Sequence, residues 1–414
     1  MIGRKMVIRK NNIPLVFLML YFLTKMLWDK SVPYIFEIIS ILILFNGFVN
    51  FFTKSLNKQK IIYLFLYGTF SIYILINGIC QNSFAQIQRS LYEYILYTSF
   101  IFSMAYYIKK ADFIKTCKII SELGIIISIL SWYEWISKSY LVGSFANIIT
   151  YGNYIGFRSA VFSRSFLSHG VVLGFFGIIS FYLYLTMKNK NYLLISGFNI
   201  LSILTTSSRG PLVSTVVAIF FMYIFKNNLL KKHDKRKIMA NIIIIVAICL
   251  IIFILLSNIK TGNSSIDYFL YRIRQIINWT GDAGNVGRLK FWSEALNYFK
   301  ESPIFGIGPS KTGSWGIESI GVTESGILKH LCELGIVGFS LYYILFFSIL
   351  FKGYKQYKIA SNRDKLKLIL FFGVVAMVFL NNITLQSTEE IMIFIIYSFG
   401  LGGILSMNYK DSEV

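Results

Sequence analysis

The chain has 414 residues, 55% of them apolar and 14% charged, with a mean hydropathy of +0.62. This composition excludes a water-soluble globular protein, and 27 Tyr, 38 Phe and 6 Trp beside only 5 Pro exclude disordered and low-complexity classes. A net charge of +22 would indicate nucleic acid on a soluble surface, but in so apolar a chain the placement of the cations decides its meaning.

Apolar runs follow one another at residues 13–28, 33–53, 61–80, 91–108, 119–136, 166–187, 192–206, 210–225, 238–258, 327–351, 368–385 and 390–407. At about 20 apolar residues per spanning helix they predict an all-α, polytopic integral membrane protein with about twelve transmembrane helices. Arg4, Lys5, Arg9 and Lys10 precede the first run as in a signal peptide, but no small-residue cleavage site follows, so this run is read as the first span. Lys and Arg number 26 in the tails and alternate connections on one side, against 6 in the short loops opposite. The positive-inside rule therefore puts both termini in the cytoplasm and reads most of the charge as a topology signal, with no nucleic-acid partner.

One connection is much longer than the rest. Residues 259–326 form an extracytoplasmic loop between a first unit, 1–258 with spans one to nine, and a last unit, 327–414 with spans ten to twelve and a short cytoplasmic tail. Ile266, Phe269, Leu270, Ile273 and Ile277 recur at helical spacing, as do Phe291, Trp292, Ala295, Leu296 and Phe299, which predicts two amphipathic helices over the outer mouth. Cys80, Cys117, Cys249 and Cys332 are far apart and form no C-x-x-C pair, so neither a disulfide framework nor a metal site is expected.

The choice of cation differs between the two sides. Only Arg4, Arg9, Arg236 and Arg363 are arginine among the 26 cytoplasmic cations, whereas Arg89, Arg158, Arg164, Arg209, Arg272, Arg274 and Arg288 are 7 of the 13 outside. Lysine suffices for topology, but a planar guanidinium suits bidentate binding of phosphate or carboxylate, so the outer face reads as an anion site. Arg209 is the sharpest case. It lies in Thr205-Thr206-Ser207-Ser208-Arg209-Gly210-Pro211, where Ser207 or Ser208 can cap a helix whose first turn holds Pro211. A helix amino terminus beside an arginine attracts anions.

The run Glu324-Ser325-Gly326-Ile327-Leu328-Lys329-His330-Leu331-Cys332-Glu333 leads from the long loop into the tenth span. Ionisable residues at that depth are functional candidates. Glu333 also reads as the helical partner of Lys329, and His330 and His169 also read as satisfied packing histidines. Glu93 and Glu134 fall near predicted span ends, with Trp132 and Trp135 as an interfacial belt. No Gly-rich phosphate loop, H-E-x-x-H or D-x-D pair is present, which favours a lipid-borne donor over a nucleotide-activated one.

These residues resemble the O-antigen polymerase and O-antigen ligase family, especially the Wzy-type polymerases of capsule and O-antigen synthesis, over about residues 150–345. The resemblance rests on Ser208-Arg209-Gly210 at a span boundary, on Gly287-Arg288 followed by Trp292, Ala295 and Leu296, and on Pro303-Ile304-Phe305-Gly306-Ile307-Gly308. It rests too on the loop-to-helix run. In ligases that run reads His, then Asn, Ser or Gln, nine residues, Gly, two residues, then Gly, Thr or Tyr. Here Glu324 and Ser325 are followed by nine residues, Gly335, two residues and Gly338, so the spacing is kept and the histidine is replaced.

The resemblance implies a GT-C-like glycosyltransferase of the bacterial plasma membrane that needs no metal or other cofactor. Its substrates would be undecaprenyl-pyrophosphate-linked oligosaccharides, joined on the outer face, with a chain-length regulator and a flippase of the same pathway as partners. Glu324 would take the proton of the attacking hydroxyl. Arg158, Arg209 and Arg288 would hold the pyrophosphate, with Arg164, Arg272, Arg274, Lys329, His330 and His169 as secondary positions. The glutamate at position 324 favours a polymerase over a ligase. A flippase or transporter is a further alternative, although the polar chemistry gathers at the outer mouth and not at the bilayer midplane, and a purely structural scaffold, which would tolerate loss of the arginines, is another.

Overall fold

The computed structural model describes residues 12–24, 35–54, 57–142, 149–151, 154–163, 165–230, 267, 270, 283–313 and 320–407. The predicted ninth span at 238–258, most of the first loop helix, and Arg164, Arg272 and Arg274 lie outside the described residues.

The described chain is a bundle of helices in the order α1 (Ile13–Leu23), α2 (Ile35–Thr53), α3 (Lys58–Gln81), α4 (Phe84–Ser90), α5 (Tyr97–Lys110), α6 (Phe113–Ser137), α7 (Phe166–Met187) and α8 (Lys190–Ser202). Then come α9 (Arg209–Leu230), α10 (Ala283–Glu301), α11 (Gly326–Ile359), α12 (Asn362–Thr384) and α13 (Ile391–Ser406). The one sheet among the described residues is a short antiparallel hairpin, Ile149–Tyr151 against Tyr154–Gly156. Six helices, α2, α3, α7, α9, α11 and α12, are long and apolar enough to cross a membrane, and α13 is apolar but shorter.

Burial sorts these helices. α7 and α13 are buried on nearly all sides, and a helix that is apolar all round belongs at the centre of a bundle. α2 and α3 instead leave Leu42, Phe45, Phe65 and Ile79 each more than 60% exposed. So large an outward apolar face marks a membrane surface and is not tolerated in water.

The helix limits differ most from the apolar runs at two places. The fourth run begins at residue 91, yet helix starts at Phe84, where Ser83 and Gln86 form a capping box, and α4 continues through a π-helical turn, Leu91–Leu96, into α5. The first turn, Phe84–Ser90, is polar, so hydropathy passes over it. Likewise α11 runs on to Ile359 through a lysine-rich last stretch.

α11 is broken within its length. Gly335 has φ +60° and ψ −173°, and the Pro303–Gly308 turn fills the break. Ile307 N–H donates to Cys332 O (2.9 Å) and Gly308 N–H to Glu333 O (3.1 Å), while Ile336 N–H donates to Pro303 O (2.9 Å) and Val337 N–H to Ile304 O (3.2 Å). The backbone groups that the kink releases are thus satisfied by another segment, as a low-dielectric setting requires. This gives the glycine spacing of the sequence a physical reason. A Cβ at Gly306 would overlap Glu333 O, and one at Gly335 would overlap Gly306 N and Ile304 O. Gly306→Ala is therefore expected to lose more than about 2 kcal/mol of stability. Gly197→Ala, in open space on α8, is expected to be neutral or stabilising by up to about 1 kcal/mol. Thermal unfolding in detergent decides, and equal midpoints for the two variants would contradict this account of the break.

Candidate functional site

The loop-to-helix joint places its carboxylate beside an arginine. Ser325 caps α11 by accepting from Leu328 N–H (3.4 Å), and Glu324 just before it has φ +48°. The Glu324 carboxylate lies 3.6 Å from Arg288 Nε on α10, both side chains are about one-third exposed, and Trp292 Nε1–H donates to Glu324 O (3.3 Å). The residues of the second predicted loop helix lie in α10, which holds the joint. Arg288 also donates to Asn285 Oδ1 (3.2 Å).

The start of α9 lies close by. A Cβ on Gly210 would meet Asn381, Thr384 and Leu385 at the end of α12, and Gly326 N–H donates to Leu385 O (3.1 Å). Arg209 and Glu324 therefore flank the same end of α12. Buried Asn381 uses neither its amide donor nor its acceptor among the described residues.

Arg158 belongs to the same end. Its guanidinium lies 4.2 Å from the centre of the Phe166 ring, and the next residue, Ser159, donates from its N–H to Thr205 O (3.1 Å) just before Arg209. Glu134, fully buried, organises this segment by accepting from Ala160 N–H, Val161 N–H and Leu141 N–H, each at 2.9 Å. The reading of Glu134 as part of an interfacial belt is corrected accordingly: it is an internal clamp for the Arg158 segment. Val161, like Glu324, has positive φ, and Ser207 has it as the carboxyl cap of the 3-10 turn Ile203–Thr206. Strained backbone outside helix caps gathers where a structure holds functional groups in place.

Four helices, α7, α9, α11 and α13, begin at this end, and the α7 cap Ser165 donates to Glu390 Oε1 (3.1 Å) at the cap of α13. Helix amino termini and three arginines stand at this end, with the partly exposed carboxylates of Glu324 and Glu390 among them.

The secondary candidates are placed differently. His169 is buried, with Nε2 3.0 Å from Ser131 Oγ in a knot with Ser159 and Thr205 that forms the floor under the Arg158 segment. His330 is buried with Nδ1 3.2 Å from Tyr343 Oη, against the rings of Tyr94 and Tyr342. Both are packing histidines.

Lys329 is not principally the partner of Glu333. Its Nζ lies 3.0 Å from Glu93, is in contact with Glu389, donates to Thr312 O (3.2 Å), and is 3.8 Å from Glu333. Arg89 Nε pairs with Glu93 at 2.6 Å. Glu333 instead accepts from Tyr94 Oη–H (2.5 Å), Ser310 N–H (2.7 Å), and Thr312 N–H and Oγ1–H (2.7 Å each). Glu93 is therefore an internal residue and not an interfacial one. The five charged groups carry one negative charge in excess when all ionise. Burial holds the Glu389 carboxyl above the usual carboxylate range although Lys329 pulls it down. The cluster ties α4 and its π turn, the 309–313 segment, the start of α11 and the start of α13 together. Sequence reasoning missed Glu389. Its signal was two adjacent carboxylates, Glu389-Glu390, directly before an apolar run.

Residues 192–343, somewhat over a third of the chain, match the family model described as O-antigen ligase. The matched stretch contains Arg209, Arg288, Glu324 and the Gly335 break, and leaves Arg158, Glu93 and Glu389 outside. No curated protein matches the chain.

Proposed function

We propose that this membrane protein, whose residues 192–343 carry an O-antigen ligase domain as in the O-antigen polymerase and ligase family, is a polymerase that joins lipid-pyrophosphate-linked oligosaccharide repeat units on the outer face of the plasma membrane. The observation that carries the reading is the pairing of Glu324 with Arg288 beside the amino terminus of α9. In the proposed topology about twelve spans leave both termini in the cytoplasm, and α10 lies over the outer mouth.

The chemistry is a glycosyl transfer in which a sugar hydroxyl of one lipid-linked unit attacks the anomeric carbon of another and expels the lipid pyrophosphate. Arg209 and Arg288, with the N–H groups at the start of α9, bind the phosphates and stabilise charge on the leaving oxygen, which costs no reorganisation because the groups are already in place. Arg158, stacked on Phe166, supplies a third cation. Glu324 accepts the proton of the attacking hydroxyl. Arg288 draws the carboxylate into one orientation in the free protein, and phosphate binding to Arg288 releases it for the acceptor.

A ligase, which passes the glycan to a different acceptor, is the second reading, favoured by the description of the matching family. Purified lipid-linked repeat units supplied alone separate the two: a polymerase lengthens them, and a ligase leaves them as single units until another acceptor is added. An equilibrium of labelled units across vesicles without new glycosidic bonds would indicate a flippase and overturn both.

Arg209→Lys is expected to lower polymer formation by about 10²-fold although charge is kept, because the guanidinium fork and not the charge alone matches a pyrophosphate. Arg363→Ala, at the opposite end of α12, serves as control and is expected to stay within about twofold of the parent. Near-normal polymer from a well-expressed Arg209→Lys protein would remove Arg209 from the site.

A further inference from the structure

We infer that a lysine-lined cavity at the end of the bundle opposite Glu324 is a binding site for the headgroup of an anionic glycerophospholipid. α11 starts at Gly326 beside the glycan site and reaches the cavity at Lys352, about 40 Å further along the helix at 1.5 Å per residue. The inference is independent of the glycan reading.

The cavity has a volume of about 1410 Å³ and lies between the start of α3, the last turns of α11, the start of α12 and the end of α13. A smaller one of about 230 Å³, at the end of α2, shares Lys109 and Lys352 with it. Eight lysines line the two and the sole carboxylate among their lining residues is Asp364, which already pairs with Lys367 at 3.0 Å. Two of the lysines have a local explanation. Lys60 Nζ donates to Lys54 O (2.8 Å) and Lys352 Nζ to Leu405 O (3.3 Å), so they satisfy carbonyls at helix carboxyl ends. Lys58, Lys109 and Lys355 make no ion pair among the described residues. Lys60, Lys109 and Lys352 moreover repel one another. A topology signal needs lysines at this end, but it does not need them gathered round one cavity.

The apolar part of the lining identifies the ligand. Ile62, Phe351 and Ile359 line the same cavity and are each more than half exposed, so it opens sideways onto the membrane-facing surface. A groove of about 730 Å³, lined almost wholly by aromatic and aliphatic side chains, adjoins it and shares Ser348 and Phe351. A water-soluble phosphate has no use for the groove, and a neutral lipid has none for the lysines. A phosphate headgroup with acyl chains uses both, each lysine near the headgroup favouring binding electrostatically.

The test uses the full-length protein in neutral detergent. Phosphatidylglycerol is added, with phosphatidylcholine of the same chains, a polyprenyl phosphate and inorganic phosphate as separate arms. Lipid adducts are counted by native mass spectrometry and the midpoint of thermal unfolding is followed. Phosphatidylglycerol is expected to raise the midpoint saturably with a discrete number of adducts. In Lys109→Gln/Lys352→Gln/Lys355→Gln its half-effective concentration is expected to rise about tenfold or more. Lys115→Gln/Lys118→Gln/Lys190→Gln removes the same charge outside the cavity at the same end and should change it less than about threefold. Lys109→Gln/Lys355→Gln, at exposed side chains only, gives the same comparison if the triple variant does not fold. Equal losses in the cavity and control variants, an equal response to phosphatidylcholine, or displacement of phosphatidylglycerol by equimolar polyprenyl or inorganic phosphate would each overturn the assignment.

Discussion

Glu324→Gln is expected to lower turnover by about 10²- to 10⁴-fold while the protein still folds and still binds lipid-linked substrate, the span usual for loss of a general base. The carboxylate lies at the surface of the joint, about one-third exposed, so its replacement by the isosteric amide disturbs no buried packing. Glu324→His restores a titratable group and is expected to recover part of the activity, with a pH profile that follows the imidazole range near about 6.5. The measurement is the rate of repeat-unit joining in membranes with matched protein levels at several pH values. The ion pair with Arg288 makes a further distinction possible. If Glu324 served only to orient Arg288, Glu324→Gln would raise KM for the lipid donor and leave kcat nearly unchanged, and no pH dependence would return with histidine. Normal polymerisation by Glu324→Gln would remove it from the reaction altogether.

Lys329→Met is expected to cost about 3–5 kcal/mol of stability, because it leaves Glu93, Glu389 and Glu333 buried with Arg89 as the one remaining cation of the cluster. The variant is expected to express poorly, and the 309–313 segment, whose carbonyl at Thr312 also accepts from Lys329, to become accessible to protease. The penalty comes from uncompensated charge and not from lost packing, so Lys329→Met/Glu389→Gln should recover a substantial part of it. Thermal unfolding of the single and double variants measures the coupling. A Lys329→Met protein as stable as the parent, or a double variant no better than the single, would show that the cluster does not hold the four segments together.

The cluster also marks the limit of what residue spacing can convey. Lys329 and Glu333 stand four apart on one helix, and that spacing makes them partners in any local reading. In the folded chain Lys329 keeps a 3.8 Å ion pair with Glu333 but lies closer to Glu93 and Glu389, 236 and 60 residues away. Glu333 turns to Tyr94 and to the N–H groups of the 309–313 segment. Burial explains the exchange. An isolated pair on a wet helix gains little, whereas a cation enclosed with several carboxylates is held by whichever oxygens the packing brings nearest. Glu134 was misread for the same reason. Near a span end it resembles an interfacial carboxylate, and only the return of residues 141 and 160–161 to its side makes it an internal clamp.

The helical membrane class, the positions of most helices and the spacing from Glu324 through Gly335 to Gly338 follow from the sequence alone, because hydrophobic runs and glycine placement act over one helix length or less. The placement of Arg209 and of the Arg288–Glu324 pair about one end of α12, with Arg158 at the start of α7, depends on which helices pack together, and hydropathy, the same for every apolar helix, does not encode that choice. The break in α11 belongs to both levels. Gly335 and Gly306 are visible in the chain, but that each exists to let the other's backbone approach emerges only when the 303–308 turn supplies the hydrogen bonds that the broken helix gives up.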